Sequence, residues 1–188
     1  MVRNAERRTA LADAGIRVLA NEGARGLTHR AVDAAAGTPL GTASNYFATR
    51  DELIKALVER IEGRLSPEPE VLETFQGRTP DRSLFADYVR DVVRRLLADP
   101  DVPLALFELR LEASRRPSVA VALGSWRRQA FAADVAFNEA AGLPGGRAEI
   151  ALFHYAIDGL MLDRLTVPVD TTLTVDEAVD RLVAGLLP

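Results

Sequence analysis

The stretch from Leu27 to Leu53 contains two short helical patterns joined by a glycine, followed at once by the start of a third helix. The first of these helices follows Thr28, a favourable N-cap residue. Its apolar stripe at helical spacing consists of Ala31, Val32 and Ala35. Gly37 supplies the turn residue, and the next helix is predicted to begin at Thr38 or Pro39. Helices this short and this closely spaced leave few arrangements open to the segment.

The second helix is short, contains a glycine and carries polar residues along one side between Leu40 and Asn45. Such a helix buries little apolar surface, so a functional role explains it better than a place in a core. Two short helices joined by a tight turn are typical of a helix-turn-helix, which places its second helix in the major groove of DNA. The segment therefore predicts a DNA-binding head.

The composition is that of one or two globular domains. The chain has 188 residues, 48% of them hydrophobic, and it lacks an apolar run long enough to span a membrane. Strand-like alternation is nearly absent, so an all-α fold is predicted. Cysteine is absent, which excludes disulfides and thiolate zinc sites and fits a reducing cytoplasm. No apolar segment follows the charged start, so a secretory signal is not expected.

Charge is distributed unevenly along the chain. Residues 1–50 hold seven arginines and four acidic residues, a net charge of +3, whereas residues 51–188 hold 16 basic and 23 acidic groups, a net charge of −7. A basic end on an acidic body fits a DNA-binding head, although an ordinary solvated surface can also carry such a charge. The candidate phosphate contacts from this pattern are Arg3, Arg7, Arg8, Arg30 and Arg50.

Helical patterns cover most of the chain. The first helix is predicted over residues 5–21 with Gly23 as its stop, and a fourth begins at Arg50 or Asp51 and continues to about residue 65. Residues 66–81 contain three prolines and a glycine, so they are predicted to form a flexible connection and the domain boundary. The helices predicted beyond it are 84–97, 104–116, 118–141, 147–165 and 176–187.

The last two predicted helices are apolar over much of their circumference. Ile150, Phe153 and Ile157 represent this pattern on the first, and Val179 and Val183 represent it on the second. A helix of this kind near a chain end needs a second surface to cover it.

The order of motifs in the first third of the chain resembles the DNA-binding domain of the TetR family of transcriptional regulators. The matching elements are a helix tail VLANEG over residues 18–23, a threonine that starts the next helix, an Ala-Gly turn, a Gly-Thr pair, a Tyr-Phe pair and a basic residue opening helix four. The resemblance implies a helix-turn-helix domain over residues 1–50, a linker helix at about 51–65, and an effector-binding and dimerisation domain over residues 66–188. The elements are individually weak motifs but jointly specific.

The same resemblance implies a function and partners. A TetR-like regulator, most often a repressor, binds a palindromic double-stranded DNA operator as a homodimer formed through its last two helices. An unidentified small-molecule effector releases it. No cofactor, metal or membrane is implied.

Four residues of the second helix are suited to DNA by their chemistry. Gly41 lets the backbone approach closely, and Thr42 offers a hydroxyl group for a phosphate. Ser44 and Asn45 are short polar residues that can reach base edges, and Asn45 is the best candidate for reading a base.

Further contacts are implied by the resemblance. Tyr46 matches the family's phosphate-binding tyrosine, Thr28 its contact at the start of helix two, and Arg50 the basic residue, usually lysine, that opens helix four. Ala43 and Phe47 fall where the family packs the core of its head.

Three positions depart from the family pattern. Pro39 and Leu40 stand where a small hydroxyl residue and a basic or polar residue are common, and Ser44 replaces a common tyrosine. Leu40 can contact a thymine methyl group or merely shield the turn. The complete set of predicted DNA-binding residues is Thr28, Arg30, Pro39, Leu40, Gly41, Thr42, Ser44, Asn45, Tyr46 and Arg50.

The effector pocket is expected within residues 66–188, although apolar residues at helical spacing can equally well form a hydrophobic core without a cavity. The predicted wall residues are Phe85, Tyr88, Val92, Phe107, Leu111, Trp126, Phe131, His154 and Asp158. His154 and Asp158 are spaced i, i+4, so that the carboxylate can fix an imidazole tautomer, bind a polar ligand or form a structural pair. Glu108 and Glu112 lie near several arginines and are expected to form a solvated face or salt bridges.

Catalytic motifs are absent from the sequence. It contains no nucleophile elbow, no phosphate-binding Gly-Lys-Ser/Thr and no His-Glu-x-x-His, and its two histidines lie far apart. No spacing of carboxylates or histidines predicts a metal site. The alternatives to a regulator are a helical ligand-binding or interaction protein without specific DNA recognition and, more remotely, an enzyme of unknown type.

Overall fold

The structure, a computed structural model, describes the backbone of residues 2–67 and 69–187 and, within them, the side chains of all residues except 2–4 and 72. These ranges contain ten helices and no strand, which confirms the predicted all-α fold. The helices are α1 (Val2–Gly26), α2 (His29–Ala35), α3 (Thr42–Tyr46), α4 (Arg50–Leu65), α5 (Pro69–Phe75), α6 (Arg82–Ala98), α7 (Asp101–Ala113), α8 (Pro117–Ala140), α9 (Arg147–Leu165) and α10 (Val175–Leu186).

The structure differs from the sequence predictions at several helix ends. α1 continues for one turn past the predicted stop, although Gly23 does break it, with φ at 69° and ψ at −178°. Residues 66–81, predicted to be a flexible connection, contain the short helix α5. Pro117, which lies between two of the predicted helices, occupies the first position of α8, where its missing N–H has no intrahelical partner to lose.

The chain divides into two compact units. The first comprises the described residues up to Ser66 together with Asp99–Trp126, and the second comprises Pro67–Ala98 and the described residues from Arg127 onward. The first unit therefore includes α7 and the first part of α8 beside the four N-terminal helices. The predicted assignment of functional domains, with its division at residue 66, stays a prediction.

The core of the first unit lies between α1 and the helices packed on it, which are α2, α4 and α7. α1 contributes fully buried residues such as Leu11 and Leu19, α4 contributes Leu57 and α7 contributes Leu109. Burial of these large apolar side chains supplies the main driving force for the unit. Trp126 is partly buried and packs against the same core.

The second unit is built around α6, which packs on α9 and α10. The rings of Phe85 on α6 and Phe153 on α9 lie 4.7 Å apart, and Val179 of α10 is fully buried. α10 begins with a capping box, because Thr174 Oγ1 accepts a hydrogen bond from the Glu177 N–H while the Glu177 carboxylate accepts one from the Thr174 N–H. None of the described helices combines the length and apolar character needed to cross a bilayer.

An ion-pair network fixes the outer side of α6 in this unit. The Asp87 carboxylate accepts hydrogen bonds from Arg78 and Arg90, each at 2.7 Å, and Arg90 also contacts Asp180 of α10. Burial of the carboxyl raises its pKa, but the hydrogen bonds and positive charges of the two arginines outweigh burial and hold the pKa of Asp87 below its ordinary value of 3.8. The network ties the segment before α6 to α6, and α6 to α10.

Asp87 is expected to stabilise the fold in a pH-dependent way. A carboxyl whose pKa is lowered in the folded chain stabilises it above the ordinary pKa, and this contribution disappears as the pH falls through the folded-state value. Asp87→Asn should therefore lower the free energy of unfolding at pH 7, by up to about 1 kcal/mol for a partly exposed pair. The gap between wild type and variant should narrow below pH 3.8.

Urea unfolding followed by circular dichroism at several pH values measures this gap. Asp91→Asn is the matched control, because Asp91 lies on the same helix and pairs with Arg95 at i, i+4. A gap at Asp87 that stayed constant down to pH 3, or that widened there, would contradict the assignment.

Candidate nucleic-acid interface

The predicted helix-turn-helix is formed by α2, α3 and the turn between them. Thr28 caps α2 as predicted, because its Oγ1 accepts a hydrogen bond from the Ala31 N–H at 3.1 Å. Gly37 lies in the turn with φ at 62°. The apolar stripe predicted for α2 is only partly correct, since Val32 is buried but Ala35 is exposed. The buried face of α2 includes Asp33 rather than Ala35.

Asp33 is the residue that fixes the start of α3. Its side chain is buried, with 1% of the residue exposed. The carboxylate accepts hydrogen bonds from the Gly41 N–H at 2.7 Å and from the Ala43 N–H at 2.6 Å. The Thr38 hydroxyl donates to the same carboxylate at 3.3 Å. The partial positive charge of a helix N-terminus also favours a carboxylate at this position.

The predicted start of this helix at Thr38 or Pro39 is wrong, because α3 begins at Thr42. Gly41 is its N-cap residue and adopts a left-handed conformation with φ at 90°, which ends the preceding turn and suits glycine. A glycine cap provides no side chain to bond the first N–H groups of the helix. Asp33 replaces that missing cap from α2.

The buried side and the C-terminal end of α3 are also fixed by contacts with other helices. Ala43 and Phe47 are fully buried, as the resemblance implied. The Arg8 guanidinium donates to the Tyr46 carbonyl at 3.2 Å and stacks over the Phe47 ring at 4.7 Å. His29 Nε2 donates to the Phe47 carbonyl at 2.7 Å. A helix of only five residues is thus anchored at both ends by side chains from other helices.

The opposite side of α3 faces outward. Ser44 and Asn45 are exposed, and the Asn45 side chain makes no hydrogen bond within the described part of the chain. Leu40, in the turn, has 76% of its surface exposed. The hydroxyls of Thr42 and Ser44 donate to the carbonyls of Pro39 and Gly41. Contact of either hydroxyl proton with DNA therefore requires a rotation about its C–O bond.

The other predicted contact residues border this surface, with one exception. Arg30 and Pro39 are exposed, and Tyr46 is half-buried. Arg50 is half-buried, and its guanidinium donates to the main-chain carbonyls of Leu27 and, at 2.5 Å, Ala24. The structure therefore directs Arg50 at the end of α1 rather than outward with the other candidates. The Arg3 side chain lies outside the described residues.

The residues predicted to line an effector pocket fall into two groups. Phe107, Leu111 and Trp126 lie in the first unit, and Leu111 is 56% exposed. The other six lie in the second unit, namely Phe85, Tyr88, Val92, Phe131, His154 and Asp158. Tyr88 makes edge contacts with Phe75 and Phe137, with ring centres 4.6 Å and 5.2 Å apart. This aromatic cluster links α5, α6 and α8.

His154 and Asp158 each have a partner on another helix, which the i, i+4 spacing did not predict. His154 Nε2 lies 3.0 Å from the Asp134 carboxylate on α8, and Asp158 contacts Arg127 at 3.3 Å. The edge of the imidazole ring also packs against Phe131. A carboxylate does fix the imidazole, but it comes from α8.

Glu108 and Glu112 also have separate roles in the first unit. Glu112 forms salt bridges with Arg115 and Arg116, as expected. Glu108 instead accepts a hydrogen bond from the Ala24 N–H at 3.1 Å, directly after the break at Gly23. No cluster of three or more potential metal ligands occurs among the described residues.

A family model decides the classification of the chain. The model described as "Tetracyclin repressor-like, C-terminal domain" matches residues 80–188, more than half of the sequence. The chain belongs to the TetR family. Its members are transcriptional regulators, so the predicted family and regulatory function are confirmed. No curated protein sequence matches the chain at a significant level.

Solved structures of other proteins extend the likeness to nearly the whole chain. A TetR-family member from Streptomyces coelicolor A3 is 29% identical with a TM-score of 0.67, over 97% of this chain and 99% of that one. The multidrug binding protein EbrR complexed with ethidium is 28% identical with a TM-score of 0.64, over the same shares of the two chains. A Mesorhizobium loti regulator has a TM-score of 0.77 at 14% identity, which supports the fold alone.

The anchoring role of Asp33 in this TetR-family chain predicts the effect of its removal. Asp33→Ala leaves the buried Ala43 N–H without an acceptor, so the free energy of unfolding should fall by about 1–3 kcal/mol. Amide hydrogen exchange at Ala43, followed by NMR, should accelerate in step with the lost protection.

Thr38→Val is the matched control, because it removes only the longer hydroxyl contact with Asp33 and leaves both N–H bonds in place. Its exchange rate at Ala43 should stay near that of the wild type. Unchanged protection of Ala43 in Asp33→Ala would show that the carboxylate does not hold the helix.

Proposed function

We propose that this chain is a repressor that binds a palindromic operator as a homodimer and is released by a small-molecule effector. The observation that carries the proposal is the outward polar face of α3, held by Asp33, Arg8 and His29. A rigid, exposed helix of this kind meets the geometric requirement for insertion into a major groove. Two such helices in a dimer would enter successive grooves about 34–36 Å apart.

The candidate contacts divide into base readers and phosphate contacts. Asn45 reads a base edge, with Ser44 beside it, because both are exposed and short enough to approach the groove floor. The surface that contacts the DNA backbone is formed by Thr28, Arg30, Pro39, Gly41, Thr42 and Tyr46. Arg50 acts indirectly in this arrangement, because it bonds the carbonyls at the end of α1, directly before α2 begins.

The homodimer is proposed to form through the last two helices, α9 and α10. The exposed side of α9 carries Leu152, Tyr155 and Leu162 with Gly159 between them, a stripe at helical spacing. Tyr155 is 67% exposed. On α10, Ala184 and Gly185 are exposed and leave room for close approach. Apolar side chains and small residues in one face favour contact with a second helix pair.

An aromatic cation is the class of effector that the observations favour. EbrR is described in complexes with ethidium, with proflavin and with malachite green. Residues 51–188 of the present chain are acidic. In the second unit, the Asp134 carboxylate lies 3.0 Å from His154 Nε2, and the imidazole ring packs against Phe131. Aromatic faces and carboxylates together attract planar cations.

Two variants test the proposed contacts with DNA. Asn45→Ala should weaken binding to the operator by roughly 1–3 kcal/mol and leave binding to random duplex nearly unchanged, because it removes a base contact. Arg30→Ala should weaken binding to both DNAs and reduce the salt slope by about 1 per head, because it removes a phosphate contact. Fluorescence anisotropy over a salt series, with an operator selected from random DNA, measures all four affinities.

Arg128→Ala is a suitable control, since Arg128 is an exposed arginine of α8 outside the set of proposed contacts, and it should leave all four affinities near those of the wild type. Failure to select any preferred sequence would overturn the proposed function and favour a ligand-binding or interaction protein without specific DNA recognition. Equal losses on both DNAs for both variants would overturn the division of the contacts.

A charged substitution on the exposed side of α9 tests the proposed dimer. Tyr155→Asp should shift the sedimentation coefficient at micromolar concentration from that of a dimer to that of a monomer, because burying an unpaired carboxylate is costly. Val121→Asp, at a residue that is 72% exposed on α8, should leave the dimer intact. A wild-type chain that sediments only as a monomer would end the proposal.

A further inference from the structure

Leu40 is a large apolar residue that the first unit does not use. It is 76% exposed, and it is not among the residues that pack against the core of that unit. An exposed leucine alone needs no explanation. The position of this one does, because it lies in the turn that leads directly into α3.

The turn that carries Leu40 is held at both ends by one residue. Before Leu40, the Thr38 N–H donates to the main-chain carbonyl of Asp33 at 3.0 Å, and the Thr38 hydroxyl donates to the Asp33 carboxylate. After Leu40, the Gly41 N–H donates to the same carboxylate at 2.7 Å. Only Pro39 and Leu40 lie between these points, and the proline ring restricts φ of its own residue. The Leu40 side chain is therefore presented outward from a turn with little freedom.

The surroundings of Leu40 favour the major groove as its binding partner. Ser44 and Asn45, the exposed polar residues of α3, follow it within five positions. If α3 enters a major groove, its N-terminal end and the turn before it enter with it. The C5-methyl group of thymine is the apolar group that base edges present in that groove. A branched aliphatic side chain gains by covering such a methyl group and removing it from water.

We propose that Leu40 is a specificity-determining residue that reads the 5-methyl group of a thymine in each half-site of the operator. This inference rests on the proposed function, because it requires sequence-specific binding of DNA. It adds a chemical requirement at one operator position, which is an apolar contact rather than a hydrogen bond. Asp33 serves as the positioning residue for this contact.

Deoxyuridine substitution tests the proposal without changing base pairing. In the operator selected from random DNA, each thymidine is replaced in turn by deoxyuridine, which lacks only the methyl group. The wild-type chain should lose affinity by about fourfold at one thymidine per half-site, the loss that corresponds to one methyl group returned to water. Other thymidines should show smaller effects.

The Leu40→Ala variant completes a double-mutant cycle. It should bind the unmodified operator more weakly, and the deoxyuridine operator should then cost it no further affinity at the sensitive position. Because Leu40 is exposed and lies outside the core of the first unit, its truncation removes no core packing. Leu111→Ala is the matched control, since it truncates another exposed leucine of the first unit and should keep the full sensitivity to deoxyuridine.

Each outcome either supports or overturns the inference. No sensitive thymidine with the wild-type chain, or a sensitivity that persists in Leu40→Ala, would overturn it while specific operator binding remained intact. If no operator can be selected at all, the proposed function fails and the inference fails with it. Sensitivity that vanishes only in Leu40→Ala supports it.

Discussion

The buried carboxylate of Asp33 is the constraint on which the DNA-binding head depends. α3 has five residues, too few to be stable alone, and its N-cap residue, Gly41, offers no side chain to cap it. Two of its earliest N–H groups, those of Gly41 and Ala43, are satisfied by a residue of α2. The geometry of the exposed turn and helix therefore follows from an interaction on the buried side of the head. Arg8 and His29 complete the arrangement at the other end of α3.

The end of α1 is the second point at which several elements meet. Gly23 breaks the helix, Glu108 of α7 accepts the N–H of the next residue, and Arg50 of α4 bonds the carbonyls of Ala24 and Leu27. α2 begins shortly afterwards, behind its Thr28 cap. The orientation of α2, which carries Asp33, is thus linked within the first unit to α4 and α7.

Much of the head could be predicted from local sequence rules. The Thr28 cap and the buried Ala43 and Phe47 follow from residue preferences or from the family resemblance. Asp33 was missed because an aspartate in a helix is ordinarily exposed. Asp33 is buried because it bonds the N–H groups at the start of α3, and the apolar periodicity of α2 carries no information about that contact. A glycine at a helix start without a capping side chain was the available signal.

The body shows a similar limit. His154 and Asp158 satisfy the i, i+4 rule, yet residues of α8, Asp134 and Arg127, provide their observed partners. The i, i+4 rule considers only residues of one helix, so it does not account for side chains of a neighbouring helix that can form the same contacts. The wall of an effector pocket is harder still, because aromatic and aliphatic residues that line a cavity have the same periodicity as those that fill a core.

The way in which Asp33 holds the turn also bears on how such regulators diverge. Its two shortest bonds, to the Gly41 and Ala43 N–H groups, go to the main chain, so they do not depend on the side chain at position 40. Position 40 can therefore change identity while the loop keeps its shape. In the proposed complex, a single substitution at position 40 would change the preferred DNA sequence at little cost to folding. The residue that recognises DNA and the residue that holds the turn would then be able to vary independently.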